Sequence, residues 1–385
     1  MAARWVSGDR AGSVKTLNTL VECLGEVGRA DEAGRRGAEA LELSRQLGDP
    51  SLEGLTLNNL GFLDFRRGRF APAAERFAQA LPLRRSAGDL RGATTTLSNL
   101  AVSQRNLGNV GEALKLSQEA LEAARQQGDV ATEARVLLNL GVLYKARGES
   151  QAALESFDQA LDQAVEVGTR TTEASAASSM GELYALLGDT DRALVLLRRA
   201  LEANRAIASL SGEARDLMSI GNLLVRAGRD GDAQAEFEEA LAKSREAQDR
   251  KTEAYALRGL GRTHLARGES QAALESVDRA LDLAVEIGTC TTEAAAVSSM
   301  GELYALLGDT DCAVALLHRA LAANRAIGSL SGEARDLMSL GNLLARSGRP
   351  AEAQAGFEEA IAKSCDAQDR TTEVYALRGF GKTFF

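Results

Sequence analysis

Residues 134–173 read ARVLLNLGVLYKARGESQAALESFDQALDQAVEVGTRTTE, and the fold of the chain is decided within them. Leu137, Leu140 and Tyr144 follow the three-and-four spacing of one helical face, and Gly141 sits on the same stripe. A glycine inside a helix costs about 1 kcal/mol relative to alanine, so its place on the apolar stripe implies a partner helix in close approach. Arg147-Gly148 then breaks the helix and Ser150 is placed to cap a second one, on which Ala153, Phe157 and Ala160 share a face. Two small residues and one large one predict a tightly interlocked helical hairpin.

The pattern recurs every forty residues. Gly61, Gly141, Gly181, Gly221, Gly261, Gly301, Gly341 and Gly381 fall in one register, with Val21 and Ala101 in the two remaining places. Turn glycines follow seven residues later, from Gly28 to Gly348, and alanines recur from Ala33 to Ala353 and from Ala40 to Ala360. Gly48-Asp49, Gly88-Asp89 and Gly128-Asp129 each supply a left-handed stop followed by an acidic helix start. Such a lattice is the signature of stacked helical hairpins, an all-α solenoid.

Counted from Val14, residues 14–373 form nine full repeats, 1–13 the tail of a preceding repeat and 374–385 the first helix of a tenth. Met1 to Ser7 reads as the end of an earlier second helix. Phe380, Phe384 and Phe385 finish a first helix with no partner, an apolar end that suits either a piece of a longer protein or end-to-end self-association. A larger duplication is also present: residues 147–265 recur as 267–385 with most positions unchanged. Arg170, Arg192, Arg245 and Arg198 of the first copy correspond to Cys290, Cys312, Cys365 and His318 of the second, substitutions that read as drift.

Composition narrows the function. Aromatic residues make up 4 % of the chain and the net charge is −9, which disfavours base-stacking platforms and non-specific binding to nucleic acid or anionic membrane. No apolar run is long enough for a membrane span, and a cytoplasmic location is expected. Cys23, Cys290, Cys312 and Cys365 are far apart in sequence, so free thiols are expected and no metal site, cofactor or redox pair. His264 stands where other repeats have Tyr144, Tyr184 and Tyr304, and reads as a packing residue; no catalytic residue is expected. Gly381-Lys382-Thr383 is similar to the end of a phosphate loop, but Ala376 replaces the glycine such a loop requires. Glu238-Glu239 and Glu358-Glu359 read as solvated charge on outer helical faces.

Leu, Leu-Gly, Tyr, Ala, Phe and Ala in this order resemble the tetratricopeptide repeat over essentially the whole chain. The forty-residue period, with "NLG" in the first helix and "GD" at the junction, resembles two branches in particular. One comprises the cell-polarity adaptors with Leu-Gly-Asn repeats, the other the helical sensor domains of large bacterial transcription activators. The family's first-helix Trp and closing Pro are missing, and Asp64, Gln104 and His264 replace the usual Tyr. The resemblance implies a right-handed superhelix of about nine and a half hairpins whose first helices line a concave, ligand-binding surface.

Mapped onto that surface, Lys15, Arg66, Arg105, Arg135, Lys145, Arg215, Arg226, Arg258, Arg262, Arg335, Arg346, Arg378 and Lys382 face only Glu22, Glu26, Glu182 and Glu302. A basic groove in an acidic protein steers acidic ligands inward. Asn58, Asn59, Asn99, Asn139, Asn222 and Asn342 lie on the same surface. Their carboxamides suit either the backbone of an extended peptide, the use implied by the adaptor branch, or a bridge between neighbouring repeats. The expected function is a non-enzymatic scaffold binding an extended acidic peptide. The alternatives are a ligand-sensing arm of a larger signalling or transcription protein and a self-associating array.

Overall fold

The computed structural model describes residues 9–26, 29–288, 290–367 and 370–383, which places Met1 to Ser7, Gly28, Phe384 and Phe385 outside the described residues. All regular structure among the described residues is helical. The chain divides into two compact units, Met1–Leu183 and Tyr184–Phe385. The first holds α1 (Arg10–Glu26), α2 (Ala30–Leu47), α3 (Pro50–Arg66), α4 (Phe70–Ser86), α5 (Leu90–Asn106), α6 (Val110–Gln127), α7 (Val130–Ala146) and α8 (Ser150–Glu166). The unit boundary falls within α9 (Arg170–Leu187). The second unit continues with α10 (Thr190–Ala206), α11 (Leu210–Arg226), α12 (Asp230–Glu246), α13 (Arg250–Ala266) and α14 (Ser270–Ile287). It ends with α15 (Cys290–Leu307), α16 (Thr310–Ala326), α17 (Leu330–Arg346), α18 (Pro350–Asp366) and α19 (Arg370–Lys382). Odd-numbered helices are the first helices of hairpins and even-numbered ones the second.

Each hairpin closes through one small residue on its first helix and one large residue on its second. A β-carbon built at Gly141 would lie 2.4 Å from Phe157, and one at Gly61, Gly221 or Gly341 would lie 2.8, 2.7 or 2.9 Å from Phe77, Phe237 or Phe357. The glycine leaves a trough, and the buried ring fills it. Two hairpins depart from this. In the first, Val21 stands in the glycine register, and the space over Gly37 of the second helix is filled chiefly by Leu60 of the next first helix, with Val21 Cγ2 farther off at 3.5 Å. In the third, the register sets Ala101 opposite Ser117, both buried.

The junctions are built as their residue types suggest, with one difference. Gly48 and Gly128 adopt left-handed conformations, each with φ of 62°. The following aspartates accept backbone N–H bonds from the first turn: Asp49 from Ser51 at 3.0 Å and Leu52 at 3.1 Å, Asp89 from Gly92 at 2.9 Å, and Asp129 from Thr132 at 3.0 Å. Ser150 does not cap α8. Gly148, at φ 76°, sets Glu149 at the cap position, where its side chain makes no capping bond, and Ser150 becomes the first helical residue.

Polar residues at the tyrosine position are also resolved locally. Asp64 is buried and paired with Arg69 and Arg76, Gln104 accepts from Asn109 at 2.8 Å, and His264 Nδ1 lies 2.6 Å from Glu269. In all three cases the partner five residues on lies just beyond the turn glycine, so each polar replacement ties the first helix to the start of the second.

The geometry yields two expected stability effects. Gly141→Ala should lower the melting temperature, because overpacking against Phe157 costs about 1–3 kcal/mol. Gly381→Ala, in the same register but with nothing within 4 Å of the added methyl, should not. Ala208, at φ 53°, occupies a junction where its duplicate Gly328 has φ 68°. Ala208→Gly should therefore raise stability by about 1 kcal/mol in thermal or urea denaturation.

Candidate functional site

Within each unit the odd helices touch one another directly: α1 on α3, α3 on α5 and α5 on α7 in the first, and α11 through α19 in the second. No even helix comes as close to the next even helix among the described residues. Long ion pairs span those wider gaps instead, Arg205 to Glu239 at 2.7 Å and Arg325 to Glu359 at 2.6 Å, with Arg85 and Glu119 paired in the same manner. Glu239 and Glu359 are thus bridging residues, a role their reading as solvated charge did not include. Each unit closes up along its odd helices, which line its inner side.

Short polar side chains stitch this inner row. In the first unit Asn18 donates to Thr56 at 2.8 Å, Thr96 to Asn58 at 3.1 Å and Asn99 to Asn58 at 3.3 Å. Asn59 donates to Glu22 at 2.9 Å and Asn139 to Ser98 at 3.2 Å. Asn58 and Asn59 are buried, Asn99 and Asn139 half-buried. These four carboxamides therefore make bonds between neighbouring repeats. In the second unit Asn222 is half-buried and Asn342 exposed, and neither makes a side-chain bond among the described residues.

A different device appears where α15 meets α17. Asp336, 1 % exposed, accepts a short bond from Ser298 and one of 2.7 Å from Asn324 of the preceding second helix. Burial pushes its carboxyl up to about 6, the two donors working against that shift. Asn204 donates to Asp216 at the same 2.7 Å in the earlier copy. Two further pairs are duplicated with this one, Lys243 with Glu213 and Lys363 with Glu333, each at 3.1 Å.

The cations divide by environment. Lys15, Arg66, Arg215, Arg226, Arg262, Arg335, Arg346, Arg378 and Lys382 are exposed. Lys145 is half-buried and neutralised by Glu182 at 3.0 Å. Arg105, Arg135 and Arg258 are half-buried and form no ion pair among the described residues. Burial lowers the proton affinity of all three, and Arg258, with Arg335 and Arg262 adding repulsion, is brought down to about 10. The Arg258 guanidinium lies 5.0 Å from the centre of the Tyr255 ring, a residue the sequence did not single out. Its signal was available in hindsight, since tyrosine three residues before arginine on a helix shares its face. Elsewhere Cys23, Cys312 and Cys365 are exposed free thiols, and no helix among the described residues is long and apolar enough to cross a membrane.

Sequence profiles of the tetratricopeptide repeat match residues 13–86, 92–164, 133–206, 218–284 and 337–359. The chain belongs to the tetratricopeptide-repeat family. Solved structures similar to this tetratricopeptide-repeat protein include the apo quorum sensor NprR from B. thuringiensis, at 12 % identity and TM-score 0.67, covering 93 % of this chain and 99 % of that one. A Rap protein complexed with competence and sporulation factor is similar at 16 % identity and TM-score 0.58, covering 96 % and 97 %. The Rap conjugation gene regulator of plasmid pLS20, in complex with the Phr* peptide, is similar at 15 % identity and TM-score 0.58, covering 82 % and 96 %. At such identities the likeness is one of fold. No curated protein matches the sequence.

Asp336 has a consequence for pH dependence. The folded chain keeps its proton up to a pH of about 6, whereas the unfolded chain releases it near 3.8. Between those values the folded state binds more protons, so this group's contribution to stability falls as pH rises and stays low above 6. Asp336→Asn, with the Asn324 amide turned to offer its oxygen, should remove that loss, worth up to about 3 kcal/mol. The melting-temperature difference between variant and wild type should grow in the variant's favour from pH 4 to pH 7; a constant difference would contradict it.

Proposed function

We propose that this protein is a non-enzymatic interaction scaffold whose inner face takes an extended acidic peptide segment. The observation that carries the reading is the set of half-buried arginines, Arg105 and Arg135 in the first unit and Arg258 in the second, none in a direct ion pair among the described residues, with Asp129 and Glu302 acting on Arg135 and Arg258 only from farther off. A partly desolvated charge without a counter-ion is costly, and an incoming carboxylate relieves that cost as it binds. Exposed cations on other first helices of the second unit, Arg215 and Arg226 on α11 and Arg335 and Arg346 on α17, extend the field that draws such a segment in.

The asparagines take two parts in this scheme. Asn58, Asn59, Asn99 and Asn139 hold adjacent helices in register while each carboxamide keeps hydrogen-bonding capacity beyond the bonds it makes. Asn222 and Asn342 keep both donor and acceptor for a ligand backbone. The peptide and factor complexes of the similar Rap proteins support the reading, since those proteins use the same fold.

The test is fluorescence anisotropy with a labelled Glu-rich peptide and a neutral peptide of equal length. The acidic peptide should bind more tightly, and its affinity should fall steeply as salt rises, because exposed charges are screened within about 8–10 Å at physiological ionic strength. Arg105→Gln with Arg135→Gln should weaken binding by about tenfold, a loss on the scale of a charge-assisted hydrogen bond. Arg279→Gln, on an exposed second-helix position, should leave it unchanged. Equal losses in both variants would reduce the effect to general charge and overturn the reading.

A further inference from the structure

Arg258 departs from the joints that four other first helices make. Its position in α13 is the one held by Asn18 in α1, Asn58 in α3, Ser98 in α5 and Ser298 in α15. Each of those side chains bonds across to the next first helix: Asn18 to Thr56, Asn58 to Thr96, Ser98 to Asn139 and Ser298 to Asp336. Across from Arg258 the corresponding residues of α15 are Ala296 and Ser299. Ala296 offers no acceptor, and the Ser299 hydroxyl donates to Ala295 of its own helix at 3.1 Å. A guanidinium stands where these four counterparts find a polar partner and where Leu138, Met218 and Met338 present apolar chains, and among the described residues its neighbour is the Tyr255 ring.

Further charge converges on the same place. Arg262 stands one turn on from Arg258, and Arg335 of α17 is near enough to repel it. The balancing carboxylate at the surface is Glu302, which accepts from Ser339 at 3.1 Å. In the first unit the equivalent Glu182 is paired with Lys145, but the residue in the place of that lysine here is Leu265. Asp336 lies buried beneath, engaged by Ser298 and Asn324. Asp336 is ionised at neutral pH, so three guanidinium groups share Glu302 and Asp336, and one positive charge is left without a match.

We propose that the Arg258, Arg262 and Arg335 cluster is a subsite for a phosphorylated side chain carried by the bound segment, an inference that rests on the peptide-binding reading above. A phosphate monoester carries a charge of about −1.5 to −2 at neutral pH and three acceptor oxygens. Guanidinium forks match those oxygens with paired N–H donors, and Tyr255 holds the Arg258 plane from one side. A single aspartate or glutamate brings two acceptor oxygens to three guanidinium forks, whereas a phosphate brings three. The cluster has no counterpart one block earlier, where Leu138 and Val142 occupy the places of Arg258 and Arg262. One block later Arg378 and Lys382 recur, but both are exposed.

Isothermal titration of the full chain with three probes tests this: a Glu-rich peptide with one phosphoserine, the same peptide with serine, and inorganic phosphate. The wild type should prefer the phosphopeptide by about tenfold or more. Arg258→Leu, the residue found at position 138, should abolish that preference and leave the serine peptide within about twofold. Glu302→Gln should tighten phosphopeptide binding, and Arg378→Leu should change nothing. Equal binding of the two peptides by the wild type, or a preference that survives Arg258→Leu, overturns the proposal. Inorganic phosphate binding as tightly as the phosphopeptide also overturns it, in favour of a free-phosphate site. Should Arg258→Leu fail to fold, the Glu302→Gln arm decides alone. Loss of serine-peptide binding with the phosphate preference intact counts against the groove reading and leaves the subsite standing.

Discussion

Contact between a bare glycine backbone and a bulky side chain is the constraint on which the rest of the structure depends. Phe157 over Gly141, and its equivalents in other repeats, sets how deeply the two helices of a hairpin interlock. That depth in turn decides how far each first helix stands from the next. Phe237 and Phe357 also press against Gly259 and Gly379 of the following first helix, where a β-carbon would lie 2.6 and 2.5 Å from the ring. In these hairpins one ring sets the spacing both within a repeat and between repeats. Only because the first helices are drawn together can side chains as short as serine and threonine reach across their joints.

The two sides of each unit accordingly obey different chemistry. On the inner side, partly desolvated groups demand specific partners, and a mismatch such as Arg258 opposite Ala296 is left as a standing electrostatic need. On the outer side, the second helices are farther apart and joined by solvent-exposed Arg–Glu pairs worth about 0–1 kcal/mol each. Specificity is concentrated where the helices are closest. Tolerance lies where they splay.

Much of this was legible in the sequence because it is local. The Gly141 and Phe157 pairing, the left-handed Gly48 and the acidic start at Asp49 all lie within one repeat, where spacing along a helix is enough to place them. The packing over Gly37 was not, since the side chain that fills it, Leu60, comes from the first helix of the next repeat. Ser150 misled by one position, because the left-handed glycine alone fixes where a helix begins. The asparagines were legible as an inner-face set suited to a ligand or to a bridge between repeats, but which of them bridge was not. Their partners lie 38 or 41 residues away, and which member of a joint carries the acceptor changes from repeat to repeat.

The duplicated block reproduces its contacts as faithfully as its sequence. Asn204 with Asp216 and Asn324 with Asp336 have the same separation, as do Lys243 with Glu213 and Lys363 with Glu333. A recombination event that adds three repeats inherits joints whose glycine register already fits, with Val277 over Gly261 where Phe157 stands over Gly141. Such a gene can grow or shrink by whole repeats while selection acts on single inner-face residues, and the contrast of Leu138 with Arg258 and Arg378 in the same register shows repeats of one array differing in chemistry.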